Sequence, residues 1–191
     1  MIEIPFLPVE FAFAGLWLVL RLIVWLRNRH IDWRREAVLL LIYVDLAVLV
    51  RFTLFPMELA GGRVQPLLFD PDILPLRLNL VPLVRLLDFL HYGSRREILL
   101  NIVGNVAMFI PTGIVLPIVY RRLDSFGKVL LAGAGLSLCI ELLQLPFRAR
   151  ATDVDDLLLN TLGTILGYGL YAAVKWLLKR RRGRIQKEDP S

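Results

Sequence analysis

Soft metal ligands and reactive thiols are nearly missing from this chain. It has one cysteine and two histidines in 191 residues. A single Cys139, inside an apolar run, excludes an intramolecular disulfide and reads as a packing residue. His30 and His91 stand in connecting segments without HExxH or paired Cys/His spacing, which argues against zinc. No Ser-His-Asp set, reactive-cysteine setting or phosphate-binding glycine loop is visible, and no cofactor is indicated. Internal repeats and low-complexity tracts are lacking. The N-terminus lacks a basic region and a small-residue cleavage site, so no secretory signal peptide is expected. The net charge of +6 is not spread as on a nucleic-acid-binding face; basic residues cluster beside apolar segments.

What the chain has in abundance is apolar sequence. Hydrophobic residues make up 57% of it, and the mean hydropathy is +0.61, far above an ordinary soluble domain. About 20 apolar residues in a helix cross a bilayer. Five stretches qualify: Phe6 to Leu26, Ala37 to Phe55, Ile98 to Tyr120, Gly127 to Phe147, and about Leu157 to Leu178. The second is short and carries Asp45 and Arg51. The expected fold is all-α, a polytopic membrane helix bundle in one domain, 1–178, with a basic tail over 179–191.

Three basic clusters fall on one side of a five-span bundle: Arg27, Arg29, Arg34 and Arg35; Arg121, Arg122 and Lys128; and the tail from Lys179. By the positive-inside rule that side is cytoplasmic, which places the N-terminus out and the C-terminus in. The basic tail reads as a topology anchor with some attraction to anionic inner-leaflet lipid. The outer connection, Pro56 to Glu97, reads as loop from Gln65 to Pro75. From Pro82 to Tyr92, Leu83, Leu86, Leu87 and Leu90 oppose Arg85 and Asp88, and Gly93 follows as a stop. That pattern predicts a short amphipathic helix in the outer interface.

Polar residues recur inside the spans at matching depth. At about 1.5 Å of rise per residue, Asn101 and Asn105 lie roughly 5 to 10 Å below the outer surface. Glu141 and Gln144 reach similar depth on one face of the fourth span, and Asn160 sits about a turn into the fifth. Asp153, Asp155 and Asp156 precede it, with Arg150 upstream; spacings of three and four align Asp153, Asp156 and Asn160. A carboxylate at the depth of Glu141 must be protonated, paired or facing water. Asn and Gln also join membrane helices as simple glue, and an Asp can cap a helix N-terminus. The same depth arithmetic predicts a Glu10–Arg51 pair and an Asp45–Arg21 pair. Gly163 and Gly167 form a GxxxG, read as helix packing.

The blocks Asn79-Leu-Val-Pro82, Gly104-Asn105-Val-Ala-Met-Phe109-Ile-Pro111-Thr-Gly113, Glu141-Leu-Leu-Gln144 and Arg150-Ala-Thr-Asp153-Val-Asp-Asp156-Leu-Leu-Leu-Asn160-Thr-Leu-Gly163 resemble the VanZ-like family. Thr53-Leu-Phe-Pro56 is similar to that family's sequence at the end of the second span, and Asp155 is an acid beyond the family pattern. The likeness covers about residues 40 to 170. It implies a multi-pass protein of the bacterial cell membrane, in a family whose namesake is linked to reduced susceptibility to teicoplanin-type glycopeptide antibiotics. The expected site for binding is Asn101, Asn105, Glu141, Gln144, Arg150, Asp153, Asp156 and Asn160, with no metal. Its ligand would be membrane lipid, a lipid-linked cell-wall precursor or a lipoglycopeptide. Arg150, Arg95 and Arg96 are placed to hold phosphate or carboxylate. The alternative is a metal-assisted membrane enzyme acting on a polyprenyl phosphate or glycan, with Glu141, Asp153 and Asp156 as oxygen ligands. Transport would require repeats or broken helices that are missing. A purely structural role within an envelope complex is a fourth reading.

The orientation is checked with reporters fused after Ser191. A fluorescent protein there is expected to glow and alkaline phosphatase to stay inactive; the opposite pattern reverses the assignment.

Overall fold

Local signals set the helix boundaries. The computed structural model describes residues 2–55, 59–60, 62–70, 72, 78–148 and 152–188. Strand β1 (Ile2–Ile4) leads into α1 (Phe6–Asn28), which ends where Arg29 turns left-handed at φ 50°. Asp32 then starts α2 (Trp33–Leu49) by accepting the backbone N–H groups of Arg34 at 3.0 Å and Arg35 at 3.1 Å. That helix runs on into a π-helical turn, Val50–Leu54. The connection beyond carries β2 (Leu59–Ala60), β3 (Arg63–Val64), β4 (Leu67–Phe69), β5 (Leu78–Asn79) and α3 (Val84–Tyr92). A short α4 (Arg95–Ile98) and a second π-helical turn, Leu99–Val103, open α5 (Gly104–Val119). A 3₁₀ turn, Arg121–Leu123, leads to α6 (Phe126–Gln144), then β6 (Thr152–Asp153) and α7 (Val154–Glu188).

Five segments are long and apolar enough to cross a membrane: Phe6–Asn28, Trp33–Leu54, Leu99–Val119, Phe126–Gln144 and Val154–Arg181. Each falls within a few residues of its expected span. The packing is inside-out relative to a soluble protein, with Leu16, Leu20, Ile23, Leu131, Leu142 and Leu170 exposed. The architecture is therefore an all-α polytopic membrane bundle. Cys139 belongs to that exposed surface rather than to the packed interior expected for it.

Helix α5 is the centre, packed most extensively on α7 and then on α2 and α6. Small residues make the α5–α7 approach possible. A Cβ on Gly163 would strike the Val106 carbonyl oxygen, and one on Gly167 the Ile110 carbonyl oxygen. Gly163 and Gly167 thus form a groove that receives the backbone of α5, as the GxxxG spacing predicts. Apolar packing occupies two levels, one around Leu39, Ile42, Leu116, Val119 and Val129, the other around Leu49, Phe109 and Ile140. Asp45 of α2 is buried and accepts from Thr112 Oγ1 of α5 at 2.9 Å.

Helix α1 is peripheral, with no buried residue. Phe13 stacks on Tyr43 at 5.5 Å, Trp17 lies 5.4 Å from the same ring, and Arg21 forms a two-pronged ion pair with Glu36. Neither charge pair expected for the first two spans is formed. Arg21 lies about 6 Å from the level of Glu36 and about 8 Å from that of Asp45, and a guanidinium reaches outward along its stem toward the interface. Arg51 stands over the rings of Phe6 at 5.5 Å and Phe52 at 5.2 Å, while Glu10 Oε1 makes no hydrogen bond.

The segment read as loop from Gln65 contains β4, which pairs antiparallel with β1 in the register Ile2↔Phe69 and Ile4↔Leu67. Three residues carry too little alternation to announce a strand, and the partner lies over 60 positions away. β2 pairs with β3 antiparallel, and β5 with β6 in parallel, Leu78↔Thr152 and Asn79↔Asp153.

Gly167→Ala is expected to lower the unfolding temperature in detergent, at a cost of about 1–3 kcal/mol, because a backbone carbonyl cannot swing aside. Gly169→Ala, with nothing within 4 Å of its would-be Cβ, is expected to be neutral or slightly stabilising. Equal behaviour of the two, followed by scanning fluorimetry, would remove the close-approach account.

Candidate functional site

At the end of the bundle carrying the long connection, the turn into α7 gathers residues from four other elements. Asp153 is fully buried, at 0% exposure. Its Oδ1 accepts from Asn79 Nδ2 at 3.0 Å and from the Asp155 backbone N–H at 2.9 Å. Its Oδ2 meets Arg85 NH1 of α3 at 3.1 Å. The Asp153 backbone N–H donates to Glu141 Oε2 of α6 at 3.0 Å, and Thr152 Oγ1 donates to the Glu141 carbonyl at 2.9 Å. Four chain segments are thereby tied to two consecutive residues.

Asp155 fixes α3. It is buried, and its two oxygens accept the backbone N–H groups of Leu83 and of Leu86, the latter at 2.9 Å. Leu83 holds a left-handed φ of 68° at the start of the helix and makes no side-chain cap of its own. A carboxylate supplied from α7 satisfies two helix N–H groups that would otherwise lack acceptors, and it sits where the dipole favours negative charge. Asn79 prepares this geometry, because its Oδ1 accepts from Val81 N at 3.3 Å and turns the chain into Pro82. The interfacial helix expected from Pro82 thus begins two residues later, at Val84.

Asn105 Nδ2 donates to Asp156 Oδ1 at 2.6 Å, joining α5 to α7. Asn101, in the π-helical turn before α5, lines a hollow of about 10 Å³ with Arg85, Phe89, Asp153, Asp155 and Asp156. That volume holds about one water molecule. Asn101, Asn105, Asp153 and Asp156 therefore come together, and Glu141 joins them through the Asp153 backbone. Gln144 and Asn160 are placed elsewhere. Gln144 Nε2 donates to the Thr53 carbonyl at 2.6 Å, at the π-helical end of the second span. Asn160 lies deeper, its Nδ2 bonded to Ser137 Oγ at 2.9 Å and its Oδ1 buried without a partner. Arg150 lies outside the described residues.

Sequence reasoning missed three contributors: Asn79, Arg85 and Asp155. Asn79 opens the block Asn79-Leu-Val-Pro82 noted in the sequence, and Arg85 is the cation on the polar face of α3, so both carried a signal. Asp155 carried a misleading one, as an acid in excess of the pattern. Among the described residues no three acidic, histidine or cysteine side chains converge on a point that could hold a metal ion.

The model of the VanZ/LLP1 family matches residues 40–177. The chain belongs to the VanZ/LLP1 family. The match takes in α3, α5, α6 and all the site residues just described, and leaves out β1 and α1. Over 97 residues the chain is 37% identical to Protein VanZ of Enterococcus faecium, an alignment covering 49% of this chain and 52% of that protein. The chain thus spans about half the length of this VanZ relative. No solved structure matches it.

Asp155→Ala is expected to loosen α3. Loss of an N-terminal cap costs about 0.5–2 kcal/mol, so amide hydrogen exchange across 84–92 should speed up by about 2- to 30-fold. Unchanged exchange there would show that the carboxylate does not hold the helix.

Proposed function

We propose that this VanZ-family protein binds a polar, lipid-linked component of the bacterial envelope, a cell-wall precursor head group or a lipoglycopeptide, at the outer face of the cell membrane. Such binding would alter susceptibility to glycopeptide-type antibiotics. The observation supporting this reading is the pairing of buried Asp153 with Arg85, whose side chain is 42% exposed on an amphipathic helix. A fully desolvated acid anchors one side of the guanidinium, and Phe89 supports it at 5.7 Å. The rest of the planar donor set faces the interface, where a phosphate or carboxylate can be gripped by two parallel N–H groups.

The size of the hollow sets how a ligand engages. With room for a single water, it admits no sugar ring or peptide, so a head group is held at the rim by Arg85 and its neighbours. Asp156, Asn105 and Glu141 act from below by keeping α5, α6 and α7 in register beneath that rim. The acyl chain of the ligand then lies along exposed leucines such as Leu87 and Leu90 of α3.

The test is binding of a purified polyprenyl-linked cell-wall precursor to the full chain in detergent. Arg85→Gln is expected to weaken it about tenfold or more, the scale of a charged hydrogen bond, and Asp156→Asn and Glu141→Gln to weaken it by loosening the helices that support the rim. If the Asp156 and Glu141 variants, shown folded by circular dichroism, bind as well as the parent, the site assignment fails.

A further inference from the structure

The opposite end of the bundle, where α1 meets α2 and α5 meets α6, carries a cleft unrelated to the site above. Its volume is about 640 Å³, and its walls include Arg34 and Arg35 from the first turn of α2 and Arg121 and Arg122 from the 3₁₀ turn after α5. A second hollow of about 500 Å³ adjoins it, sharing Asp32, Arg35 and Tyr120. Orientation signals need arginines somewhere in a loop; they do not need two pairs, 86 positions apart in sequence, on the walls of one concave space.

The charges in the cleft are left unbalanced. Asp32 is the only carboxylate among its lining residues, and its Oδ1 is engaged by two backbone N–H groups of α2. Asp124, close in sequence to Arg121 and Arg122, turns away to pair with Lys175 of α7. Arg35 is fixed, with NH1 donating to the Val119 carbonyl at 2.6 Å and the guanidinium 5.8 Å from the Tyr120 ring centre. Among the described residues, no acceptor pairs with the guanidinium groups of Arg34, Arg121 or Arg122. Like charges facing one hollow repel, and an anion seated between them relieves that repulsion while filling their donor forks. The remaining wall is apolar, with Val38, Ile118 and Val119 leading onto the exposed flanks of α2 and α5.

We propose that this cleft binds the head-group phosphate of an anionic phospholipid. The arginines hold the phosphate, and the apolar wall guides the glycerol and acyl chains onto the outer surface of the bundle. An arginine site suits a phosphodiester better than a lysine one, because the planar fork engages two oxygens at once. The inference does not rest on the function proposed above.

The test uses the full chain, delipidated in neutral detergent and titrated with phosphatidylglycerol or phosphatidylcholine under native mass spectrometry. Phosphatidylglycerol is expected to bind about tenfold more tightly, because the choline cation of phosphatidylcholine neutralises the phosphate charge that draws the arginines. The triple variant Arg34→Gln, Arg121→Gln, Arg122→Gln is expected to lose that preference. A control of equal charge change, Lys179→Gln, Arg180→Gln, Arg181→Gln, is expected to keep it. Equal affinity for the two lipids, or a preference that survives the cleft variant, overturns the proposal. So does displacement of the lipid by excess inorganic phosphate, which would make a free anion the ligand. A second measurement needs no variant: a photoactivatable phosphatidylglycerol carrying its label near the head group should mark residues 34–38 and 118–122 of the parent chain. Labelling confined to other segments also overturns the proposal.

Discussion

The Asp153 carboxylate is the point on which one end of the molecule depends. Water is scarce where a helix enters lipid, so a buried acid must find its partners within the protein. Asp153 finds them in Asn79, Arg85 and the backbone of Asp155, each contributed by a different stretch of chain or a different turn. Because its own N–H is held by Glu141, the position of α6 is set by the same residue. Removing the side chain would leave Arg85 and Asn79 without their shared acceptor and free β5 from the start of α7. The short parallel pairing of β5 with β6 has just two rungs, far too few to persist on backbone hydrogen bonds alone.

A consequence is that the groups proposed to recognise a ligand are also those that hold this end of the fold together. Asn105 and Asp156 bond to each other, and Asp155 is committed to helix α3. The mouth is therefore preorganised, and its exposed cation, Arg85, is set in place by its buried partner. Preorganisation of this kind lowers the ordering cost of binding. The basic cleft at the other end is built differently: Arg35 is locked, and among the described residues the guanidinium groups of Arg34, Arg121 and Arg122 have no partner.

Much of this was legible in the sequence because the bilayer imposes a coarse rule. Twenty apolar residues announce a span, and all five were readable with ends displaced by a few residues. The shared depth of Asn101, Asn105, Glu141 and Asp156 followed from counting along helices. What counting could not supply was azimuth. Gln144 lies at the right level yet turns to the Thr53 carbonyl, and Asn160 turns to Ser137. Nor could depth alone assign ion pairs: Arg21 chose Glu36 over Asp45 because a long cationic side chain leans toward the interface, and Thr112 satisfied the aspartate instead. The role of Asp155 was hidden because a cap donated by another helix leaves no local sequence signature.

Helix α7 runs for 35 residues, from Val154 to Glu188. At 1.5 Å per residue that is about 52 Å, against a hydrocarbon layer of about 30 Å. The surplus, about 20 Å, is taken up by tilt or extends past the hydrocarbon layer. Either way, the basic run from Lys179 to Lys187 leaves the apolar stretch as the last turns of one continuous helix.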